Sequence, residues 1–180
     1  GFRAVRITSY WTPGLDKPTD EELRVLENVS DAAQRNGVRL YVTIMHPGSR
    51  TTPLTAQARA DFASYAAAVV RGAPSVEHVI IGNEPNQPRF WQPQFGSSGQ
   101  NVSARSYYRL LAASYDSLKA VDPAIRVIGL GLSPRGGDRA GGIRPTHSPT
   151  RFIQELGVAY RASGRDRPVM DAFVIHPYPD

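Results

Sequence analysis

The sequence predicts an α/β fold built on a parallel sheet, and three observations lead to this prediction. Five short apolar segments alternate with four amphipathic segments along the chain. The apolar segments are continuous, which is typical of strands that are covered on both faces. Residues that favour helix caps stand at the ends of the amphipathic segments. Such alternation fits either an open doubly wound sheet or part of a closed eightfold (β/α) barrel.

The predicted elements follow one another as strand, helix, strand through most of the chain. Strands are predicted at 2–8, 39–45, 78–82, 126–131 and 171–176. The helices between them are predicted near 19–36, 58–72, 103–121 and 149–160. Thr19 and Glu22 have the spacing of a capping box, and Ser148 is a favoured cap that precedes Pro149 at a first helical position.

The composition is that of one globular domain, which we assign to residues 1–180. Apolar residues make up 41% of the chain, and no shift in composition marks a boundary. The chain has no cysteine, which excludes a disulfide framework and a thiolate metal site. Its net charge of +5 comes from arginines that are spread along the chain, so no nucleic-acid partner is predicted. No stretch approaches the roughly 18 consecutive apolar residues of a membrane span, so no membrane partner is predicted either.

The loops that follow the predicted strands are long and carry the unusual residues, whereas the loops that precede strands are short. In both candidate folds, functional residues gather at the carboxyl ends of the strands. Trp11 and Trp91 lie in such loops, where an aromatic ring can offer a flat apolar face to a sugar ring. For Trp11, burial against a helix is an equally good interpretation.

The loop at 133–149, after the fourth predicted strand, differs from the others in composition. It carries basic side chains that could hold an acidic substituent such as a uronate or a phosphate: Arg135, Arg139, Arg144 and His147. Glycine and proline dominate the loop, however, and this favours a solvated, mobile segment.

Several kinds of chemistry lack the residues that they require. Gly129 and Gly131 have no third glycine in dinucleotide-binding spacing, and no Walker lysine follows a strand. No Gly-x-Ser-x-Gly elbow provides a serine nucleophile. A metal site could be built from His46, Glu84 and His176, but the sequence lacks the His-x-His pair that is usual in metal-binding barrels. We therefore predict neither a metal nor a cofactor.

The chemistry that remains is glycoside cleavage, which requires two carboxylates beside the scissile bond. Glu84 ends an apolar strand, which suits the carboxyl group that must be protonated to serve the leaving oxygen. Asn83 precedes it and can donate a hydrogen bond to a sugar hydroxyl. A carbohydrate is therefore the predicted partner.

The segment "IIGNEPN" resembles the fourth-strand motif of the clan GH-A glycoside hydrolases, in which an Asn-Glu pair ends the strand. Three other strands agree in order and position with the same family. Arg6 matches an arginine of the family's second strand, and His46 matches a histidine at the end of its third. His176 and Tyr178 match a His-x-Tyr on its sixth. The similarity covers essentially the whole chain as strands two to six, with cellulase-like and family 39 enzymes as the relevant types.

The resemblance implies a retaining O-glycoside hydrolase of oligo- or polysaccharides that needs no metal or other cofactor. Glu84 would be the general acid/base, and Asn83 would bind the 2-hydroxyl of the sugar. Arg6 and Tyr178 would support the nucleophile. Tyr178 and two histidines, His46 and His176, would also shape the adjacent sugar subsite. The family favours a secreted or cell-surface bacterial protein.

The resemblance further implies that residues 1–180 form an incomplete (β/α)8 barrel lacking strands one, seven and eight. The nucleophile would be a Glu on the missing strand seven. No aspartate considered for this role replaces it: Asp180 lies on the right face but one strand too early, and the others lie before the first helix (Asp16, Asp20), in the loop after the fourth strand (Asp138) or at the opposite end of the barrel (Asp171). Two alternatives remain open at this point: a carbohydrate-binding pseudoenzyme, and an open-sheet phosphate or nucleotide binder.

Overall fold

A computed structural model describes residues 1–178, which form one five-stranded parallel sheet with four helices. The strands are β1 (Ala4–Tyr10), β2 (Arg39–Met45), β3 (Val76–Ile81), β4 (Arg126–Leu132) and β5 (Ala172–Ile175). The helices are α1 (Asp20–Arg35), α2 (Ala56–Gly72), α3 (Ser103–Val121) and α4 (Pro149–Ala162), and a short 3-10 helix spans Ser49–Thr51.

The order of the strands distinguishes between the two predicted architectures. Each strand pairs in parallel with the strand before it, so that the sheet runs β1-β2-β3-β4-β5. A doubly wound sheet reverses its strand order at a switch point, and no reversal occurs in the described residues. The prediction of an α/β fold with part of a (β/α)8 barrel is therefore confirmed, and the open doubly wound alternative is wrong.

The helix boundaries follow from capping interactions that the sequence predicted. Thr19 accepts a hydrogen bond from the Glu22 N–H through its hydroxyl, and the Glu22 carboxylate accepts one from the Thr19 N–H. Ser148 caps α4 with Pro149 at the first helical turn. Caps of this kind satisfy amide groups that have no partner within the helix. The predicted bounds of β2 and α3 match the structure, whereas the 3-10 helix was not predicted.

The hydrophobic core lies between the sheet and the helices, and the two middle helices, α2 and α3, contribute the most buried residues. Helices α2 and α3 bury seven and nine residues, including Phe62, Tyr65 and Leu111, whereas α1 buries three and α4 two. Full burial of a large apolar side chain stabilises the fold by about 1.5–3 kcal/mol. The central strand β3, which carries the predicted catalytic segment at its end, is thus held by the most extensive packing.

The two edge strands are less covered than the centre of the sheet. Val5 of β1 and Phe173 and Ile175 of β5 are exposed, although all three are apolar. In a complete barrel each edge strand pairs with a further strand and is covered by further helices. The exposed edges are consistent with the proposal that this domain is an incomplete barrel.

Candidate functional site

Glu84 stands at the exit of β3, in a backbone conformation that few non-glycine residues adopt. Gly82 has a φ of 78° and Glu84 has a φ of 40°, so the chain turns sharply where the strand ends. The Glu84 N–H donates to the Gly131 carbonyl oxygen at 2.9 Å, which ties this turn to the exit of β4. A side chain held at positive φ stores roughly 1–3 kcal/mol of strain, and such residues cluster at functional sites.

Tyr107 of α3 fixes this turn from the helix side of the sheet. Its hydroxyl donates to the Ile81 carbonyl oxygen at 2.6 Å and accepts from the Leu130 N–H at 2.8 Å. Burial raises the pKa of the Tyr107 phenol, so the group stays neutral and keeps both bonds. A Cβ on Gly82 would lie 3.1 Å from the Tyr107 ring, so the ring would have to shift by a few tenths of an ångström, and the φ of 78° also favours glycine.

The Glu84 carboxylate receives two hydrogen bonds from the loop that follows β5. His176 Nδ1 lies 3.1 Å and the Tyr178 hydroxyl lies 2.9 Å from the same oxygen, Oε1. Within residues 1–178, no hydrogen bond reaches Oε2. The Glu84 side chain is only 9% exposed, and Glu84 lines a cavity of about 570 Å³. The structure thus brings together three of the predicted site residues.

Tyr178 is a neutral hydrogen-bond donor despite its position at the surface. Its side chain is 62% exposed. Partial burial, followed by the bond to Glu84 and the charge of that carboxylate, raises the pKa of the Tyr178 phenol, and the charge of Arg6 opposes this shift. Arg6 itself makes no side-chain hydrogen bond or ion pair within the described part of the chain.

His46 follows β2 and is only 3% exposed. Its Nδ1 donates to the Gly48 carbonyl oxygen at 2.8 Å, and its ring meets the Trp91 ring edge to face at 5.5 Å. Burial lowers the pKa of His46, although the bond to Gly48 opposes this shift, so the imidazole is neutral at pH 7. These contacts fix the loop after β2, and a contact between His46 and a sugar stays a prediction.

Both tryptophans are buried, which corrects the expectation that they stack on a sugar. Trp11 is 0% and Trp91 is 1% exposed. Trp11 packs on Phe62 and donates its indole N–H to the Leu15 carbonyl oxygen, while Trp91 packs between His46 and Tyr107. A ring without exposed surface cannot contact a ligand. The stacking interpretation is therefore wrong for both, and burial, which was the alternative for Trp11, is the observed state.

Asn83 and Asn86 flank the Glu84-Pro85 pair and have different roles. The Asn83 side chain is half-buried and makes no hydrogen bond within residues 1–178, so its amide is available to a ligand. Asn86 is fully buried. Its side chain donates to the Ser133 and His147 carbonyl oxygens, both at 2.9 Å, and accepts from the Ser133 N–H at 3.1 Å. Asn86 thus connects the turn at the exit of β3 to both ends of the loop after β4.

The sequence-based reasoning did not assign a role to Asn86, although it lies in the "NEPN" segment. An amide has two donors and one acceptor oxygen, which suits it to bridge backbone groups of two loops. An asparagine next to an Asn-Glu-Pro turn is the only local signal of this role. The partners lie 47 and 61 residues further along the chain, so they could not be identified from spacing.

The loop after β4 is anchored at its end, contrary to the expectation of a solvated, mobile segment throughout. His147 is buried, contacts the Gln94 carbonyl oxygen through Nε2 at 3.0 Å, and packs on Phe95 at 4.1 Å between ring centroids. Asp138 accepts a hydrogen bond from the Ser148 N–H at 2.8 Å. The side chains of Arg139 and Arg144 are exposed, so this part of the loop fits the expectation of a solvated segment.

The described residues contain no group of three or more side chains suited to hold a metal ion. Among the helices of residues 1–178, none is both long and apolar enough to cross a membrane.

Solved structures that are similar to this chain in fold are glycoside hydrolases with (β/α)8 barrels. A family 39 glycoside hydrolase from Bacteroides cellulosilyticus is 22% identical with a TM-score of 0.61, over 99% of this chain and 33% of its own. A GH39 enzyme from Xanthomonas axonopodis pv. citri is 20% identical with a TM-score of 0.57, over 97% and 34%. The GH53 catalytic domain of Ignisphaera aggregans is 16% identical with a TM-score of 0.58, over 97% and 48%.

These similarities confirm the resemblance to clan GH-A at the level of the fold. Identity below a quarter carries no information about the reaction or the substrate of this chain. The chain spans about a third of the length of the two family 39 structures. No protein-family model matches the sequence, and no curated protein matches it.

Proposed function

We propose that this chain is part of a retaining O-glycoside hydrolase that acts on an oligo- or polysaccharide, with Glu84 as general acid/base. The observation that carries the proposal is the convergence of His176 and Tyr178 on the Glu84 carboxylate at the exit ends of β3 and β5. Residues at these ends of barrel strands are where catalytic groups are found. The backbone strain at Glu84 supports the same assignment.

The geometry suggests which oxygen of Glu84 carries the proton. His176 and Tyr178 both act on Oε1 and favour it as an acceptor, so the acidic proton resides on Oε2. Oε2 would protonate the leaving glycosidic oxygen in the first step. The resulting carboxylate would then remove a proton from the water that releases the glycosyl enzyme.

The nucleophile would be a second carboxylate on a strand that follows β5, about 5–5.5 Å from Glu84. Asp180 lies outside the described residues. Arg6 faces the region of Tyr178 and would orient that carboxylate. Tyr178 itself donates to Glu84, whereas the resemblance implied support of the nucleophile. A phenol has one proton, so Tyr178 would serve one carboxylate at a time.

The substrate would be held close to Glu84 by the remaining side chains of the site. Asn83, whose amide has no partner in the described residues, would donate to the 2-hydroxyl of the sugar, a bond that strengthens in the transition state. His176 would shape the sugar subsite through the Glu84 carboxylate, to which its Nδ1 donates. His46 would shape the neighbouring subsite.

The test is the dependence of activity on the leaving group in the full-length protein with Glu84→Gln. Without a proton donor, kcat/KM should fall by about 10²–10⁴-fold on substrates with poor leaving groups. On aryl glycosides with highly acidic phenols the first step needs no protonation, so that step should remain fast. Glu77→Gln changes an exposed glutamate at the opposite end of β3 and should leave both rates unaltered.

Equal activity of Glu84→Gln and the wild type on poor leaving groups would overturn the assignment. A full-length protein that binds oligosaccharides but turns over no glycoside would instead be the carbohydrate-binding pseudoenzyme.

A further inference from the structure

The cavity next to Glu84 has an unusual charge distribution for a carbohydrate site. Its volume is about 570 Å³, and Glu84 is its one acidic wall residue within the described chain. The other polar or aromatic side chains of its wall are Gln87, Arg89, Phe90, Arg144 and Tyr178. Two guanidinium groups thus border a space that opens on the proposed acid/base.

Neither guanidinium is neutralised by the part of the chain that the structure describes. The side chains of Arg89 and Arg144 make no hydrogen bond or ion pair within residues 1–178, and both are exposed. Arg89 rests on the Phe90 ring at 5.4 Å from its centroid, which orients its planar group without using its donors. Their N–H donors are therefore available to a ligand.

Hydrogen bonds fix the backbone that carries Arg89. The Gln87 N–H donates to the Glu84 carbonyl oxygen at 2.9 Å, so that a turn leads directly from the proposed catalytic residue toward Arg89. The Arg89 carbonyl oxygen accepts from the Ser49 N–H at 3.0 Å. The position of Arg89 relative to Glu84 is thus set by the fold.

The backbone near Arg144 is tied to the same side of the molecule. Gln87 donates its side-chain amide to the Arg135 carbonyl oxygen at 2.6 Å, which joins the loops after β3 and β4. The His147 N–H donates to the Asn86 carbonyl oxygen at 3.1 Å, three residues beyond Arg144. Two different loops therefore bring one arginine each to the cavity.

We propose that this cavity binds an anionic substituent of the substrate, a carboxylate or a sulfate, through Arg89 and Arg144. The guanidinium fork matches the two oxygens of such groups and stays charged at any working pH. The Gln87 amide uses one of its two N–H donors on the Arg135 carbonyl oxygen, and its second N–H provides a neutral donor beside the arginines. This inference rests on the proposed function and specifies its substrate class: a glycan that carries an acidic sugar next to the bond that is cleaved.

The test compares three sets of oligosaccharides on the full-length protein: oligogalacturonates with carboxylates, carrageenan oligosaccharides with sulfates, and uncharged cello-oligosaccharides. Acidic oligosaccharides of one of the two charged sets should have the highest kcat/KM. Arg89→Gln and Arg144→Gln should each lower that value by about tenfold or more, because each removes a charge-assisted bond. The ratio of acidic to uncharged turnover should fall by the same factor.

Arg24→Gln is the matched control, because Arg24 is an exposed arginine of α1 outside this cavity. This variant should leave the ratio of acidic to uncharged turnover unaltered. Added salt should weaken the binding of the acidic substrates more than that of the uncharged substrates. If the uncharged set is preferred and the two variants do not change the ratio, the anion site is wrong while the proposed glycosidase activity stands.

If no set is turned over, the proposed function fails. The anion site can still be tested by measuring the binding of the same acidic oligosaccharides by calorimetry. Binding to the wild type that is lost in the Arg89→Gln, Arg144→Gln double variant would support it. Equal binding to both proteins, or no binding to either, would overturn it.

Discussion

At the scale of single residues, the Glu84–Tyr178 bond is the most direct link between the two strand exits of the site. Tyr178→Phe removes one of the two donors to Oε1, so the carboxylate is less stabilised and less well oriented. We expect kcat/KM of the full-length protein to fall by about tenfold or more, since hydrogen bonds to charged groups contribute about 1.5–3 kcal/mol.

The exposure of Tyr178 allows this effect to be separated from a loss of stability. The melting temperature of the Tyr178→Phe protein, followed by circular dichroism, should remain near that of the wild type. Tyr160→Phe, on α4, removes a hydroxyl that donates to the Arg167 carbonyl oxygen and should not change kcat/KM. Equal activity of Tyr178→Phe and the wild type would show that the bond has no catalytic importance.

Asn86 is the residue whose loss should most weaken the connection between the loops. Asn86→Ala leaves the Ser133 N–H and two carbonyl oxygens without their partner in a buried position. Each such group costs about 1–3 kcal/mol, so we expect a decrease of about 3 kcal/mol or more in the free energy of unfolding, measured by urea denaturation. Asn28→Ala, at an exposed position of α1, should lower it little or not at all. A similar free energy of unfolding for the two variants would contradict the role of Asn86 in connecting the loops.

At the scale of elements, the exit of β3 depends on Gly82. Alanine at this position would have to adopt a φ of 78° and would place its Cβ 3.1 Å from the Tyr107 ring. We expect Gly82→Ala to lower the free energy of unfolding by about 2 kcal/mol. Gly141→Ala is the matched control because nothing lies within 4 Å of a Cβ there. Equal unfolding midpoints would mean that the turn accommodates a side chain.

The elements themselves were largely predictable because their signals are local. Thr19 with Glu22 and Ser148 with Pro149 mark helix starts through contacts that span only a few residues. Continuous apolar runs marked the strands. The 3-10 helix at Ser49–Thr51 was missed because it has no hydrophobic period, and it is stabilised instead by contacts such as that between the Ser49 N–H and Arg89.

The site was predictable in its residue types but not in the directions of its side chains. That Glu84, His176 and Tyr178 meet follows from the parallel order of the strands, which places all strand exits at one end. The inward position of Trp91 could not be read from a long polar loop, because it depends on packing against His46 and Tyr107.

At the scale of the whole molecule, three histidines make stability depend on pH. Burial lowers the pKa of His46, His78 and His147 below the ordinary value of 6.5. The unfolded chain therefore binds protons that the folded chain does not, once the pH falls through about 6.5. Stability is fully present above this value and decreases as the pH falls toward the lowered pKa values. Melting temperatures between about pH 7.5 and about pH 5.5 should show this decrease.

His147→Gln provides the control for this pH dependence. Glutamine retains an amide that can donate to the Gln94 carbonyl oxygen but does not titrate. The bond to Gln94 and the nearby Asp138 and Glu155 favour protonation of His147, and Arg151 opposes it, yet burial dominates. The variant should therefore show a smaller decrease in melting temperature on acidification. An equal or larger decrease would mean that groups other than His147 cause the loss of stability on acidification.

In the proposed function, the second carboxylate would lie on a strand that follows β5. Azide tests this account most directly, because it attacks a glycosyl enzyme without needing a general base. Full-length Glu84→Ala should be slow on an aryl glycoside with an acidic phenol, and azide should accelerate it and yield a glycosyl azide with the configuration of the substrate. No acceleration, or a glycosyl azide of inverted configuration, would contradict the assignment of Glu84 as the acid/base of a retaining glycosidase.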